Sequence, residues 1–175
     1  MEDLRFPIGA YEPAREVSAG QRQQWIQEIA TQPTILRTTV ERLTDEQLDT
    51  AYRPGGWTIR QVVHHLADNN MNAYIRFRRA LTEEVPVTPP YREDLWAELG
   101  DYREMPVELS LTLLEVLHQR FVVLLRALRT QDFRRTFSHA TLGVMNLDMA
   151  LHRFVWHGRH HIAQITRLCE RMGWR

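Results

Sequence analysis

The chain has 175 residues, 43% hydrophobic and 25% charged, with 8 Gly and 8 Pro. That suits one globular domain over 1–175 and excludes disordered, collagenous and low-complexity classes. Its 22 basic residues, all Arg, balance 22 acidic ones; nothing draws it broadly to nucleic acid or anionic membranes, and Schiff-base or P-loop lysine chemistry is excluded.

Residues 1–17, with Pro7, Gly9 and Pro13, show no periodicity and predict an irregular surface lead-in. Ser18 suits an N-cap. Ile26, Ile29, Leu36, Val40 and Leu43 then predict a first helix over about 19–43, interrupted near Pro33. Thr44-x-x-Gln47 predicts a short capped turn, and Thr58 with Gln61 a capping box opening a second long helix over 59–83. Pro86, Pro89 and Pro90 break that helix. The stretch to Met105 reads as a long crossover with one short helical piece. Pro106 suits a helix start, and Leu109, Leu113, Leu117, Phe121, Leu124 and Leu128 predict a third long helix over 106–130. Alternation at 133–137 before Leu142-Gly143 predicts one short hairpin, and Leu147, Leu151, Phe154, Ile162, Ile165, Cys169 and Met172 a last helix over 146–172.

Four long amphipathic segments without a parallel-strand pattern predict an all-α four-helix bundle, an architecture that builds metal sites between facing helices. Cys169 is the single cysteine. With no disulfide to form, no apolar h-region after Met1 and no apolar run near ~18 residues, the chain reads as cytoplasmic, without a membrane partner.

Eight histidines are the informative feature. His64 and His65 lie on opposite flanks of the second long helix's apolar face, so position around the helix does not choose between them. His65 shares its side with Asn69, Asn72 and Arg76, at i+4, i+7 and i+11, a polar stripe suited to a pocket. On the last helix His157 and His161 stand i,i+4 at the edge of the apolar face, so both imidazoles can reach one ion, while His160 points away. Two histidines one turn apart plus one from a neighbouring helix leave coordination positions open, the pattern of catalytic zinc. HxxxH also arises by chance, and flank histidines are often hydrogen-bonded boundary residues; His118, His139 and His152 read that way. Trp156 reads as covered by the lead-in or by a second subunit, and Asp68 as lying far from the apolar face.

The segment 52–68, Tyr-Arg-Pro-Gly-Gly-Trp-Thr-Ile-Arg-Gln-Val-Val-His-His-Leu-Ala-Asp, and the later Val155-Trp156-His157-Gly158-Arg159-His160-His161-Ile162-Ala163 together resemble the YfiT-like metal-dependent hydrolases of the DinB superfamily. The resemblance spans nearly the whole chain. It implies a four-helix bundle, commonly homodimeric, with one zinc or nickel ion per subunit on three histidines, carried onto His65, His157 and His161. Gln164 and Arg159 depart from relatives that carry histidine there.

Two enzymatic readings share that site. In one, a divalent ion activates water for hydrolysis of a small molecule. In the other, suggested by the same resemblance, a low-molecular-weight thiol is the nucleophile, as in bacillithiol S-transferases, and Arg76 is the candidate contact for its carboxylates. A non-catalytic, metal-stabilised module is the third reading, because no general acid or base stands on the pocket stripes.

Overall fold

Side-chain caps set where the first three helices and the last one begin in the computed structural model, which describes residues 3–14 and 16–174; Met1, Glu2, Arg15 and Arg175 lie outside the described residues. Ser18 accepts from the Gln21 N–H at 3.2 Å and Gln21 returns a bond to the Ser18 N–H at 2.9 Å, opening α1 (Ala19–Val40). Thr44 with Gln47 repeats the box at α2 (Asp45–Leu48), and Thr58 with Gln61 at α3 (Ile59–Thr82). The crossover holds β1 (Val87–Thr88), α4 (Glu93–Trp96) and α5 (Gly100–Glu104), two short helices and a strand where one helical piece was expected. After Pro106 come α6 (Val107–Ala127), a 3-10 turn, and the predicted hairpin of β2 (Thr136–His139) and β3 (Gly143–Asn146). Asn146 caps α7 (Leu147–Met172), which ends on left-handed Gly173, φ 69°.

The four long helices make the bundle: α1 packs on α6 and α7, and α3 on α6 and α7. The small sheet has order β1-β2-β3, with β1 parallel to β2 (Val87 beside Ser138) and β2 antiparallel to β3 (Phe137 beside Met145). It closes the end of the bundle where α3 finishes and α7 starts. There Arg135 donates to the Ala80 and Glu83 carbonyls, and Arg22 makes a bidentate buried ion pair with Asp148 at 2.6 and 2.7 Å.

Contrary to the sequence expectation, α1 runs unbroken through Pro33. Proline removes the N–H that would bond the Ile29 carbonyl. The His118 ring, arriving from α6, donates to that carbonyl through Nδ1 at 2.7 Å, and its Nε2 lies 2.9 Å from the Asn70 side-chain amide. His118 is therefore a core residue, 3% exposed, and not the boundary residue its position suggested. It belongs to a polar layer across the bundle. On each long helix an apolar cluster stops and another begins around Gln32, Asn70, His118 and Gly158: Ile29, Phe77, Phe121, Leu151 and Phe154 pack on the hairpin side, and Leu36, Ile59, Val63, Leu114 and Ile165 on the other. Gln32 donates to the Val155 carbonyl at 3.0 Å, and a Cβ on Gly158 would collide with the Gln32 amide, so glycine lets α1 and α7 approach there.

Candidate metal centre

His65, on the second turn of α3, and His157 and His161, one turn apart on α7, meet beside this polar layer. His157 Nε2 lies 3.2 Å from His65 Nε2 and 3.2 Å from His161 Nε2. Each residue offers one ring nitrogen, all within 4.8 Å of one another, and no other set of three such side chains occurs among the described residues. The Trp57 ring covers one side, its centroid 4.7 Å from that of His65.

Tautomers follow from the neighbours. Gln164 donates through its amide nitrogen to the Arg5 carbonyl at 3.0 Å, which fixes its oxygen to accept from His161 Nδ1–H at 2.9 Å. The His161 lone pair therefore sits on Nε2, facing the other two rings. Burial lowers all three histidines from their ordinary range, His65 to about 4, and for His157 and His161 the neighbouring imidazoles push the same way. Three neutral imidazoles then face one another, and the lone pair of His161 Nε2 points at the other two. His65 Nδ1 is buried with no hydrogen-bond partner.

This donor set fits a divalent ion. Zn–N bonds of about 2.0–2.1 Å at a tetrahedral angle hold ligand nitrogens about 3.3–3.4 Å apart, close to the two 3.2 Å separations. His157 also lines a cavity of about 580 Å³ walled by α3, the crossover, the hairpin and α7. Small-molecule sites commonly have this size.

The other histidines stay outside the cluster. His64 faces away, with Nδ1 2.7 Å from the Ser110 hydroxyl and Nε2 3.3 Å from the Met105 carbonyl. His160 does not point to solvent as its helical position suggested: it is 6% exposed, stacked on Trp156 at 4.8 Å and covered by Phe6 of the lead-in, with the Gln164 amide at 2.9 Å. Trp156 meets Tyr11 of the same lead-in edge-on. His152 stacks on Trp25. Asp68 is covered too, since it accepts from the Tyr102 hydroxyl at 2.5 Å. Arg159 turns outward to Glu28 of α1.

Residues 28–165 match the DinB superfamily. The chain belongs to the DinB superfamily. Within it, this DinB chain is 51% identical over 173 residues to the "Putative metal-dependent hydrolase YfiT" of Bacillus subtilis, covering 98% of this chain and 97% of that one. A relative from Oceanobacillus iheyensis bearing the same metal-dependent hydrolase name is 49% identical over 170 residues, 97% of this chain and 98% of its own. The solved structure of Bacillus subtilis YfiT, described as a probable metal-dependent hydrolase with an unusual four-helix bundle topology, superposes with a TM-score of 0.96 over 98% of this chain and 99% of that one.

Sequence reasoning on this DinB chain found Arg76, which lines the cavity, but missed Arg153, Tyr91, Glu93 and His139, which line it as well. Arg153 was within reach: it precedes His157 by one helical turn and shares its face. Tyr91 and Glu93 belong to the aperiodic crossover and His139 to the hairpin, and no local pattern brings those segments to α3 and α7.

Proposed function

We propose that this chain is one DinB-like metal-binding domain over 1–175 and a cytoplasmic metal-dependent hydrolase of a small molecule. His65, His157 and His161 hold one divalent ion, zinc in the first instance and nickel as the alternative. The observation that carries the reading is the pair of 3.2 Å approaches at His157 together with the cavity onto which that same residue faces. The names of the two bacterial relatives support it. No helix among the described residues is long and apolar enough to cross a membrane.

When bound, a divalent ion supplies Lewis acidity and brings the pKa of water from 15.7 to about 7. The protein does the rest. His65 and His161, 2% and 8% exposed, form the closed back of the site, and His157 its open front. Gln164 holds the His161 ring in the tautomer that offers Nε2, and Trp57 keeps solvent from the His65 side. Phe77, Phe137, Met145 and Phe154 give the cavity an apolar floor that excludes water around a bound molecule.

Arg76 in the cavity wall favours a second reading, transfer by a low-molecular-weight thiol of the bacillithiol kind at the same site. One experiment separates the readings: the metal-loaded protein is assayed on an ester and amide panel, and with a thiol plus an electrophile, each with and without chelator. Thiol-independent turnover abolished by chelation supports the hydrolase. Thiol consumption without hydrolysis supports the transferase, and a fully metallated protein inert on both panels supports the non-catalytic module.

A further inference from the structure

We propose that Arg76 and Arg153 form a subsite for a carboxylate carried by the substrate, so that the site takes an acidic small molecule whose other end reaches His157. The inference deepens the reading above and, as a statement about substrate, rests on it. Both arginines line the cavity, Arg76 from α3 and Arg153 from α7, where Arg153 precedes His157 by one turn. Side chains at i and i+4 are neighbours, with Cβ atoms about 5–6 Å apart. An anion held by Arg153 thus sits in the same cavity as His157.

Neither guanidinium has a hydrogen bond or an ion pair among the described residues, although most arginines of this chain have one or the other. Arg153 instead stacks on Tyr11 at 5.2 Å, which steadies the planar fork and leaves its N–H edge free. The charged residues lining the cavity are Arg76, Arg92, Arg153, Glu93 and Asp94. Arg92 and Asp94 cancel through two bonds of 2.9 and 2.6 Å. That leaves two guanidiniums facing the single carboxylate of Glu93, a surplus of one positive charge.

Electrostatics point the same way. Burial holds the half-buried Arg76 below its ordinary range and Arg153 repels it further, while both arginines add to the burial that lowers His139. Two like charges withdrawn together from water are relieved by an anion between them. One surplus charge matches a carboxylate better than a phosphate dianion, which Glu93 would also repel. Ala73, Phe77, Phe137, Met145 and Phe154 also line the cavity, an apolar surface that suits a short hydrocarbon or aryl spacer.

The test uses the full chain, zinc-loaded and chelated, with 4-phenylbutyrate, its neutral amide and inorganic phosphate as probes in calorimetric titrations. Expected is at least tenfold tighter binding of the acid than of the amide, zinc or no zinc, falling to the level of the amide in R76M/R153M. Circular dichroism and melting of R76M, R153M and the double variant check the fold, which loses no hydrogen bond or ion pair in any of them. Equal binding of acid and amide, absence of acid binding, or tighter binding of phosphate than of the acid overturns the proposal. Acid that binds only the zinc-loaded protein and keeps its affinity in R76M/R153M is a metal contact; it sinks the subsite and spares the metal reading. Arginine-dependent acid binding in a protein that takes up no zinc does the reverse.

Discussion

Gln164→Leu probes how far the N-terminal lead-in reaches into the proposed metal centre. The native amide accepts from His161 Nδ1–H at 2.9 Å and donates to the Arg5 carbonyl at 3.0 Å and to His160 Nε2 at 2.9 Å. Leucine fills similar space and makes none of these bonds. The stranded His161 Nδ1–H, in a residue 8% exposed, then bears a desolvation cost of about 1–3 kcal/mol. At roughly 2–4 °C per kcal/mol for a chain of this length, Tm falls by about 2–12 °C. With the tautomer no longer fixed, zinc affinity weakens by about 10–100-fold, the usual effect of removing a hydrogen-bond partner of a ligand. Competition against a chromogenic chelator measures this directly. Gln164→Glu separates the two roles, because a carboxylate still accepts from His161 but donates to neither Arg5 nor His160: Tm drops while zinc affinity holds within about threefold. Wild-type zinc affinity in Gln164→Leu would mean that the Gln164 bond does not set the tautomer of His161.

Three further outcomes follow from the same geometry. In the chelated protein, burial keeps the folded-state pKa of His65 near 4 against an ordinary 6.5, so between those values the unfolded chain binds a proton that the native state refuses. Stability is then lost as pH falls from 6.5 toward 4, by up to about 1.4 kcal/mol per pH unit for each such histidine, and a melting temperature as high at pH 5 as at pH 7.5 contradicts this. Gly158→Ala pushes a methyl into the Gln32 amide and drives it off the Val155 carbonyl; an overpacking cost of about 1–3 kcal/mol less the ~1 kcal/mol that alanine gains over glycine inside a helix gives a net loss of up to about 2 kcal/mol in urea titrations, and a raised midpoint means that Gln32 swings aside freely. A homodimer, the assembly that the family resemblance implies, would bury the exposed Leu109, Leu113, Val116 and Val123 of α6, so light scattering at tens of micromolar is expected to report a dimer that Val116→Glu converts to monomer, whereas a monomeric wild type sinks the dimer.

Local signals carried most of the fold into the sequence. Ser18, Thr44 and Thr58 with glutamine three residues on each open a helix in the structure, because a capping box is complete within four residues. The i,i+4 spacing of His157 and His161 and the stripe from His65 to Arg76 likewise need only helical arithmetic. What escaped depends on distant chain. Pro33 looked like an interruption because its remedy, the His118 ring on the Ile29 carbonyl, comes from another helix. His160 looked exposed because its cover, Phe6, belongs to a lead-in without periodicity. The strand β1 has two residues, too few for alternation to register, yet its pairing with β2 ties the crossover to the hairpin, the two segments that supply Tyr91, Glu93 and His139.

Metal content of the purified chain, by elemental analysis after dialysis against trace zinc, tests the central assignment most directly. Expected are about one ion per chain in the wild type, near-complete loss in His65→Ala, His157→Ala and His161→Ala, and retention in His64→Ala, whose ring lies against Ser110 and Met105. A His64→Ala protein without metal beside a fully loaded His65→Ala protein would contradict that assignment.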